Sequence, residues 1–146
     1  MSVRLTFAVA GTPQSRGSKR HVGKGRFIDS NPRSGPWMGV VAAEAARAMH
    51  CAYGEDASLF DGPLGLAMTF TLRRPVGHYG SGANRNRVRP AAPRFPDKRP
   101  DCTKLLRGVE DALTGVVWRD DAQVVEQRVT KRYGESEGVE VTVWSV

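Results

Sequence analysis

Apolar and polar residues alternate with a period of two in three well-separated segments of the chain, residues 3–9, 64–72 and 139–146. Such a period places every apolar side chain on one face of a strand, so each segment predicts a half-buried strand. Residues 124–133 predict a further strand, and residues 124–133 and 139–146 are expected to run antiparallel around the glycine-flanked turn at 134–138. A chain with these strands needs other elements to cover the apolar face of its sheet.

Two segments have helical periodicity. Residues 36–51 place Pro36 in a first turn, where its missing N–H has no cost, and repeat apolar residues at helical spacing. Residues 102–114 have a stronger apolar face, and Gly115 follows as a C-cap. Because 146 residues suit one domain, the sequence predicts a single compact α+β domain over residues 1–146. Its mixed sheet is expected to have four or five strands packed against two helices.

The positive charge of the chain is concentrated in two segments. There are 22 Lys and Arg residues against 15 Asp and Glu, a net charge of +7. Residues 73–99 hold eight cations against one acid, Asp97, and residues 16–26 hold five cations and no acid. Basic segments of this kind favour a polyanionic partner, and DNA phosphates are the expected target. The residues predicted to bind them are Arg16, Lys19, Arg20, Lys24, Arg73, Arg74, Arg85, Arg87, Arg89, Lys98 and Arg99.

Glycine, proline and arginine also mark the irregular parts of the chain. Residues 20–28 predict a short basic strand or hairpin around Gly23 and Gly25. Residues 75–100 predict a long loop, and loops of this length inside a compact domain are usually functional or disordered. The charge of the loop favours function, and the other interpretation is a solvated connector.

The acidic residues that could carry chemistry flank the second helix. Asp101 precedes it, and Asp120 and Asp121 come just before the next strand. A helix of about 13 residues is about 20 Å long, so Asp101 and Asp121 meet only if the chain folds back and the strand runs antiparallel to the helix. Clustered carboxylates select hard cations such as Mg²⁺ or Mn²⁺. Such a cation polarises a phosphodiester and activates water.

Each of these residues also has a structural interpretation. Asp101 is a favoured helix N-cap type, and an Asp-Asp pair commonly forms a turn before a strand. Lys104 and Arg107 are also consistent with ordinary solvated helix positions, with Asp111 as their salt-bridge partner. The residue pattern alone leaves both interpretations open.

The same segment carries a family resemblance. Pro100-Asp101, Lys104-Leu105, Asp111-Ala-Leu-Thr114 and Trp118-Arg-Asp-Asp-Ala-Gln-Val-Val125 resemble the core signature of the RusA family, Holliday-junction resolvases of bacteria and prophages. The similarity is dense over residues 96–133, and residues 11–20 and 31–37 look like the N-terminal half of phage-type members. The resemblance implies a homodimeric, Mg²⁺-dependent endodeoxyribonuclease, with Mn²⁺ as an alternative metal, that cuts branched double-stranded DNA in recombination and repair.

The resemblance also implies residue roles. Asp101 and Asp121, with Asp120 beside them, correspond to the acidic metal-binding and catalytic site, and Arg107 or Lys104 is the assisting cation. The family pattern has a second Asp at the head of the helix, where this chain has Thr103. A neutral hydroxyl is a weaker metal ligand than a carboxylate, so either metal binding is weaker or Glu110, Asp111 or Asp120 compensates for the missing charge. This departure motivates an alternative prediction, a junction-binding protein with weakened or lost catalysis.

A third hypothesis is a single-strand or RNA-binding module, in which stacking aromatics would be expected along the basic loop. That loop holds only Tyr79 and Phe95, which argues against it. No apolar run reaches membrane-spanning length, and the N-terminus lacks a secretory layout. Cys51 and Cys102 fit no zinc spacing and are expected to be reduced thiols rather than a disulfide. The chain is therefore expected to be cytoplasmic.

Overall fold

The computed structural model describes residues 2–17 and 19–146. A four-stranded sheet has the order β1-β6-β4-β5, and β2 and β3 pair in a separate two-stranded sheet. The elements in chain order are β1 Arg4–Ala10, β2 Lys19–His21, β3 Phe27–Asp29, α1 Ser34–Tyr53, β4 Leu64–Leu72, α2 Cys102–Leu113, β5 Val124–Tyr133 and β6 Gly138–Ser145. The predicted α+β class, with a mixed sheet and two helices, is confirmed.

The two helices cover one face of the main sheet. Alternate residues of β1, Leu5, Phe7 and Val9, are buried together with the apolar alternates of β4 and β6. One hydrophobic cluster joins these strands to Val41 of α1 and Val109 of α2, both of which are fully buried. On the opposite face of the sheet, polar side chains pair across strands, as Arg132 does with Glu140. The sheet is thus apolar toward the helices and polar toward solvent.

The expected relation between the last two strands is only partly right. β5 and β6 do run in opposite directions, but they do not pair with each other, because β4 lies between them. β4 is parallel to β5 and antiparallel to β6. Parallel neighbours need a long crossover, and here the crossover contains the 75–100 loop and α2. The glycine-flanked segment at 134–138 therefore spans β4 and is not the turn of a two-stranded hairpin.

α2 lies along the edge strand β5 and runs antiparallel to it. The Gln127 side chain near the start of β5 bonds Glu110 in the last turn of α2, whereas Lys131 near the end of β5 bonds the carbonyl of Pro100, just before α2 begins. The chain thus folds back after α2 as expected. Because of this antiparallel arrangement, Asp121 lies beside the C-terminal half of α2.

The loop at 75–100 has local structure of its own. It contains 3-10 turns at Val76–His78 and Gly82–Asn84 and an isolated bridge between Tyr79 and Val88. The Arg74 guanidinium donates to the Pro93 carbonyl and stacks 4.4 Å from the centroid of the Tyr133 ring. These contacts attach the loop to the end of β5. No helix within the described residues is long and apolar enough to cross a membrane.

Candidate active site

A polar cavity lies between α2 and the start of β5. Its volume is about 310 Å³, and the side chains that line it are Thr103, Leu106, Arg107, Glu110, Asp111, Asp121 and Gln127. Residues three and four apart share one side of a helix, so positions 103, 107 and 110 of α2 face the cavity together. The opposite side of α2 is buried through Leu105 and Val109. The amphipathic pattern that fixes the helix on the core therefore also directs a polar stripe toward β5.

The two neighbouring aspartates before β5 have different surroundings. Asp120 caps the 3-10 turn Asp121–Gln123, since its carboxylate accepts a hydrogen bond from the Ala122 amide at 2.9 Å. The Gln123 side chain completes a capping box by accepting from the Asp120 amide. Asp121 lines the cavity instead. The turn thus uses one carboxylate of the Asp-Asp pair and directs the other toward α2.

Glu110 brings a second carboxylate to the cavity. Gln127 Nε2 donates to Glu110 Oε2 at 2.6 Å. The pKa of Glu110 is raised above its ordinary value of 4.5, first by burial and then by repulsion from Asp121 and, more weakly, Asp111, while the Gln127 hydrogen bond opposes the rise. Crowded carboxylates of this kind favour binding a proton or a cation. Glu110 was not among the predicted ligands, but it was one of the acidic residues that could compensate for the charge missing at Thr103, and its helical spacing from Thr103 and Arg107 agrees with its place in the cavity.

A loop from the N-terminal half of the chain crosses α2 beside this cavity. Arg16 Nε donates to Asp111 Oδ2 at 2.7 Å, and the Arg16 amide bonds the Lys104 carbonyl at 3.0 Å. Gly17, with a φ of +114°, lies against the Arg107 guanidinium where a side chain would clash. Asp111 thus pairs with Arg16, a residue distant in sequence, and not with Lys104 or Arg107 on its own helix. Arg16, which is predicted to bind phosphate, is thus paired with a carboxylate of the chain itself.

Asp101 lies in a neighbouring cavity. It occupies the N-cap position of α2, as its structural interpretation predicted, but its side chain makes no capping hydrogen bond to a described residue. Its Oδ2 lies 3.8 Å from Lys104 Nζ. The cavity has a volume of about 510 Å³ and is lined by Thr12, Pro13, Gln14, Ser15, Arg33, Arg99, Pro100, Asp101 and Lys104. It is therefore predominantly basic.

Asp101, Asp120 and Asp121 are thus not assembled around one point of the chain. Across residues 2–17 and 19–146, no group of three or more His, Cys, Asp or Glu side chains is placed to hold a metal ion. Folding back places the start of β5 beside the end of α2 and not beside its head, so Asp121 and Asp101 line different cavities. The three-aspartate ligand set stays a prediction. Of the predicted catalytic residues, Asp121 and Arg107 share a cavity, whereas Asp101 and Lys104 share the next one.

Most of the predicted phosphate-binding cations are exposed. Arg16 and Arg74 are partly buried and bonded within the chain. The exposed ones are Lys19, Arg20, Lys24, Arg73, Arg85, Arg87, Arg89, Lys98 and Arg99. Arg33 adds a cation that sequence reasoning had not selected. Cys51 and Cys102 are free thiols, as expected.

The protein is of the α+β class, with a mixed sheet covered by two helices. It has a carboxylate-lined cavity beside basic surface segments, an arrangement suited to binding a polyanion. A family model described as endodeoxyribonuclease RusA matches residues 9–144. The chain belongs to this family of nucleases.

The chain is also similar to "Uncharacterized protein YqaN" of Bacillus subtilis (strain 168). The two are 26% identical over 144 residues, which cover 97% of this chain and 96% of the relative. The similarity extends over nearly the whole length of both chains.

Proposed function

We propose that this protein is an endodeoxyribonuclease that cuts four-way DNA junctions at the cavity between α2 and β5. The observation that carries the proposal is the presence of Asp121, Glu110 and Arg107 in one cavity of a chain in the RusA endodeoxyribonuclease family. Two carboxylates supply anionic oxygen ligands, and the guanidinium supplies a fixed positive charge. Metal-assisted phosphodiester hydrolysis can use the carboxylates to hold the metal ion and the guanidinium to offset charge on the phosphate.

The donor chemistry of the cavity fits Mg²⁺. This ion is commonly held by one or two carboxylates together with water and substrate phosphate. The pKa of Glu110 is raised first by burial and then by the charge of Asp121, and a bound cation would favour the charged carboxylate against both. Asp121 and Glu110 would hold the ion, with the Thr103 hydroxyl lining the same cavity. When bound, Mg²⁺ supplies Lewis acidity toward phosphate and lowers the pKa of a coordinated water.

The side chains around the carboxylates have separate roles. Arg107 lines the cavity and offsets the charge that develops on the phosphate oxygens in the transition state. Gln127 holds the Glu110 carboxylate through its hydrogen bond. Asp120 acts through the turn that orients Asp121. Lys104 and Asp101 belong to the adjacent basic cavity, where a neighbouring phosphate of the same strand would bind.

The exposed cations of residues 19–26 and 73–99 would hold the arms of the DNA. A four-way junction has two-fold symmetry, so two copies of the chain are expected to act together. The test is incubation of a labelled four-way junction and a linear duplex of the same sequence with the protein in Mg²⁺. Paired symmetric nicks in the junction alone are expected. Equal cutting of both substrates, or of neither, would contradict the proposal.

Thr103 supports a second candidate function, a junction-binding protein whose cleavage is weak. It lines the same cavity as Asp121 and Glu110. The family resemblance predicts an Asp at this position, and its carboxylate would be a third acidic ligand in the cavity. On this account, Thr103→Asp increases the cleavage rate at low Mg²⁺, whereas Thr103→Asn, of the same size and without the charge, does not. An efficient wild type that Thr103→Asp leaves unchanged would contradict it.

A further inference from the structure

The β2-β3 hairpin exposes apolar side chains that the core does not use. Phe27 is 63% exposed, Val22 44% and Ile28 41%. The hairpin pairs with no strand of the main sheet. His21 faces Phe27 across the two strands, with the ring centroids 5.1 Å apart in an edge-on arrangement. An aromatic ring held in place yet left open to solvent is suited to contact a partner.

The charge of the hairpin selects the class of partner. The hairpin, residues 19–29, holds the four cations Lys19, Arg20, Lys24 and Arg26 against one acidic residue, Asp29, at its root. A second copy of the chain would bring an equally basic hairpin to a symmetric contact, and like charges would then repel. A polyanion carrying flat apolar groups is complementary to both features. Nucleic acid bases flanked by phosphates meet that description.

The root of the hairpin lies beside the proposed active site. The Asp29 carboxylate accepts hydrogen bonds from the Asn31 amide at 2.9 Å and the Gly17 amide at 3.3 Å. Gly17 in turn lies against Arg107, which shares the cavity with Asp121. A DNA strand in that cavity would therefore pass close to the base of the hairpin.

We propose that the hairpin inserts at the branch point of the junction and stacks the Phe27 ring on an exposed base. The inference rests on the proposed function. Within a linear duplex both faces of each base are covered by neighbours, whereas unstacking is least costly where pairing is already interrupted. Phe27 is thus a specificity-determining residue that recognises branched DNA, while the hairpin cations contact phosphates of either substrate.

The test compares binding of a four-way junction and of a linear duplex by the wild type and Phe27→Ala. Loss of one stacked base is expected to weaken junction binding about tenfold and to leave duplex binding unchanged. Phe27→Trp keeps a stacking ring and is expected to retain junction binding. Val40→Ala, at an exposed apolar position of α1, is the matched control and is expected to bind as the wild type does.

A second readout uses 2-aminopurine at the branch point of the junction. Its fluorescence is expected to change on binding of wild type, Phe27→Trp and Val40→Ala, and not on binding of Phe27→Ala. Undiminished junction binding by Phe27→Ala, equal losses on both substrates, or a changed oligomeric state in sedimentation would overturn the inference. If the wild type and Phe27→Ala prefer and cut junctions equally well, this inference is refuted and the proposed function is not. A wild type with no junction preference refutes the proposed function as well.

Discussion

Negative charge is crowded at one point of a basic protein. Asp121 and Glu110 line one cavity, and Asp111 beside them is paired with Arg16. Burial first, and then repulsion from Asp121, raises the pKa of Glu110, so the charged form of this carboxyl is disfavoured in the fold. Two carboxylates that disfavour each other's charge in one cavity are consistent with a site that binds a cation during function.

Glu110→Gln tests this electrostatic account. A raised carboxyl pKa stabilises the fold below the ordinary value of 4.5, and that contribution is lost as pH rises through the folded-state pKa. The wild type therefore loses stability relative to Glu110→Gln between about pH 4 and pH 7. Denaturant unfolding in EDTA at both pH values measures the difference. Glu126→Gln, at an exposed position of β5, is the control, and a pH-independent difference for Glu110→Gln would contradict the account.

At the scale of elements, the loop at 11–17 fixes α2 from outside the sheet. Arg16 bonds both the Asp111 carboxylate and the backbone of α2, whereas Arg20 in β2 is exposed. Arg16 and Arg20, four residues apart, therefore have different surroundings. Arg16 contributes to the fold, and Arg20 stays a predicted DNA-binding residue.

Arg16→Ala and Arg20→Ala separate these tasks. Arg16→Ala removes a half-buried charged hydrogen bond and is expected to lower the free energy of unfolding by about 1 kcal/mol. Arg20→Ala is expected to change it by less than about 0.5 kcal/mol and to weaken DNA binding. Thermal unfolding and a duplex-binding titration measure the two effects. If Arg20→Ala proves the more destabilising of the two, the assignment is wrong.

The elements themselves were largely predictable from local patterns. Period-two alternation located β1, β4 and β6, and the apolar face of residues 102–114 predicted α2, which spans Cys102–Leu113. The glycines at 23 and 25 marked the hairpin correctly. The insertion of β4 between β5 and β6 was not predictable in this way, because pairing between distant strands depends on the packing of the whole sheet.

The candidate site was predictable only in part, for the same reason. The family resemblance pointed to Asp121 and Arg107, and both line the cavity. The separation of Asp101 from Asp121 follows from where β5 begins relative to α2, and the Arg16–Asp111 pair joins residues 95 positions apart. Neither feature leaves a local pattern in the sequence.

At the scale of the whole molecule, cations presented by separate elements are expected to make the DNA affinity salt-dependent. Each phosphate contact contributes about 0.9 to the slope of log affinity against log salt. Arg87→Ala, in the exposed part of the 75–100 loop, is expected to reduce that slope by about 0.9. Arg47→Ala, on α1 and paired with Glu44, is expected to leave it unchanged. Equal slopes for wild type and Arg87→Ala would remove this residue from the DNA interface.

Cleavage is proposed to occur at the cavity between α2 and β5. Its most direct test is the single-turnover cleavage rate of a four-way junction by Asp121→Asn and Asp120→Asn in Mg²⁺. Asp121→Asn removes a carboxylate from the cavity and is expected to abolish cutting while junction binding persists. Asp120→Asn keeps an amide oxygen able to cap the turn, and most of its activity is expected to remain. Full activity in Asp121→Asn, with loss only in Asp120→Asn, would contradict the claim.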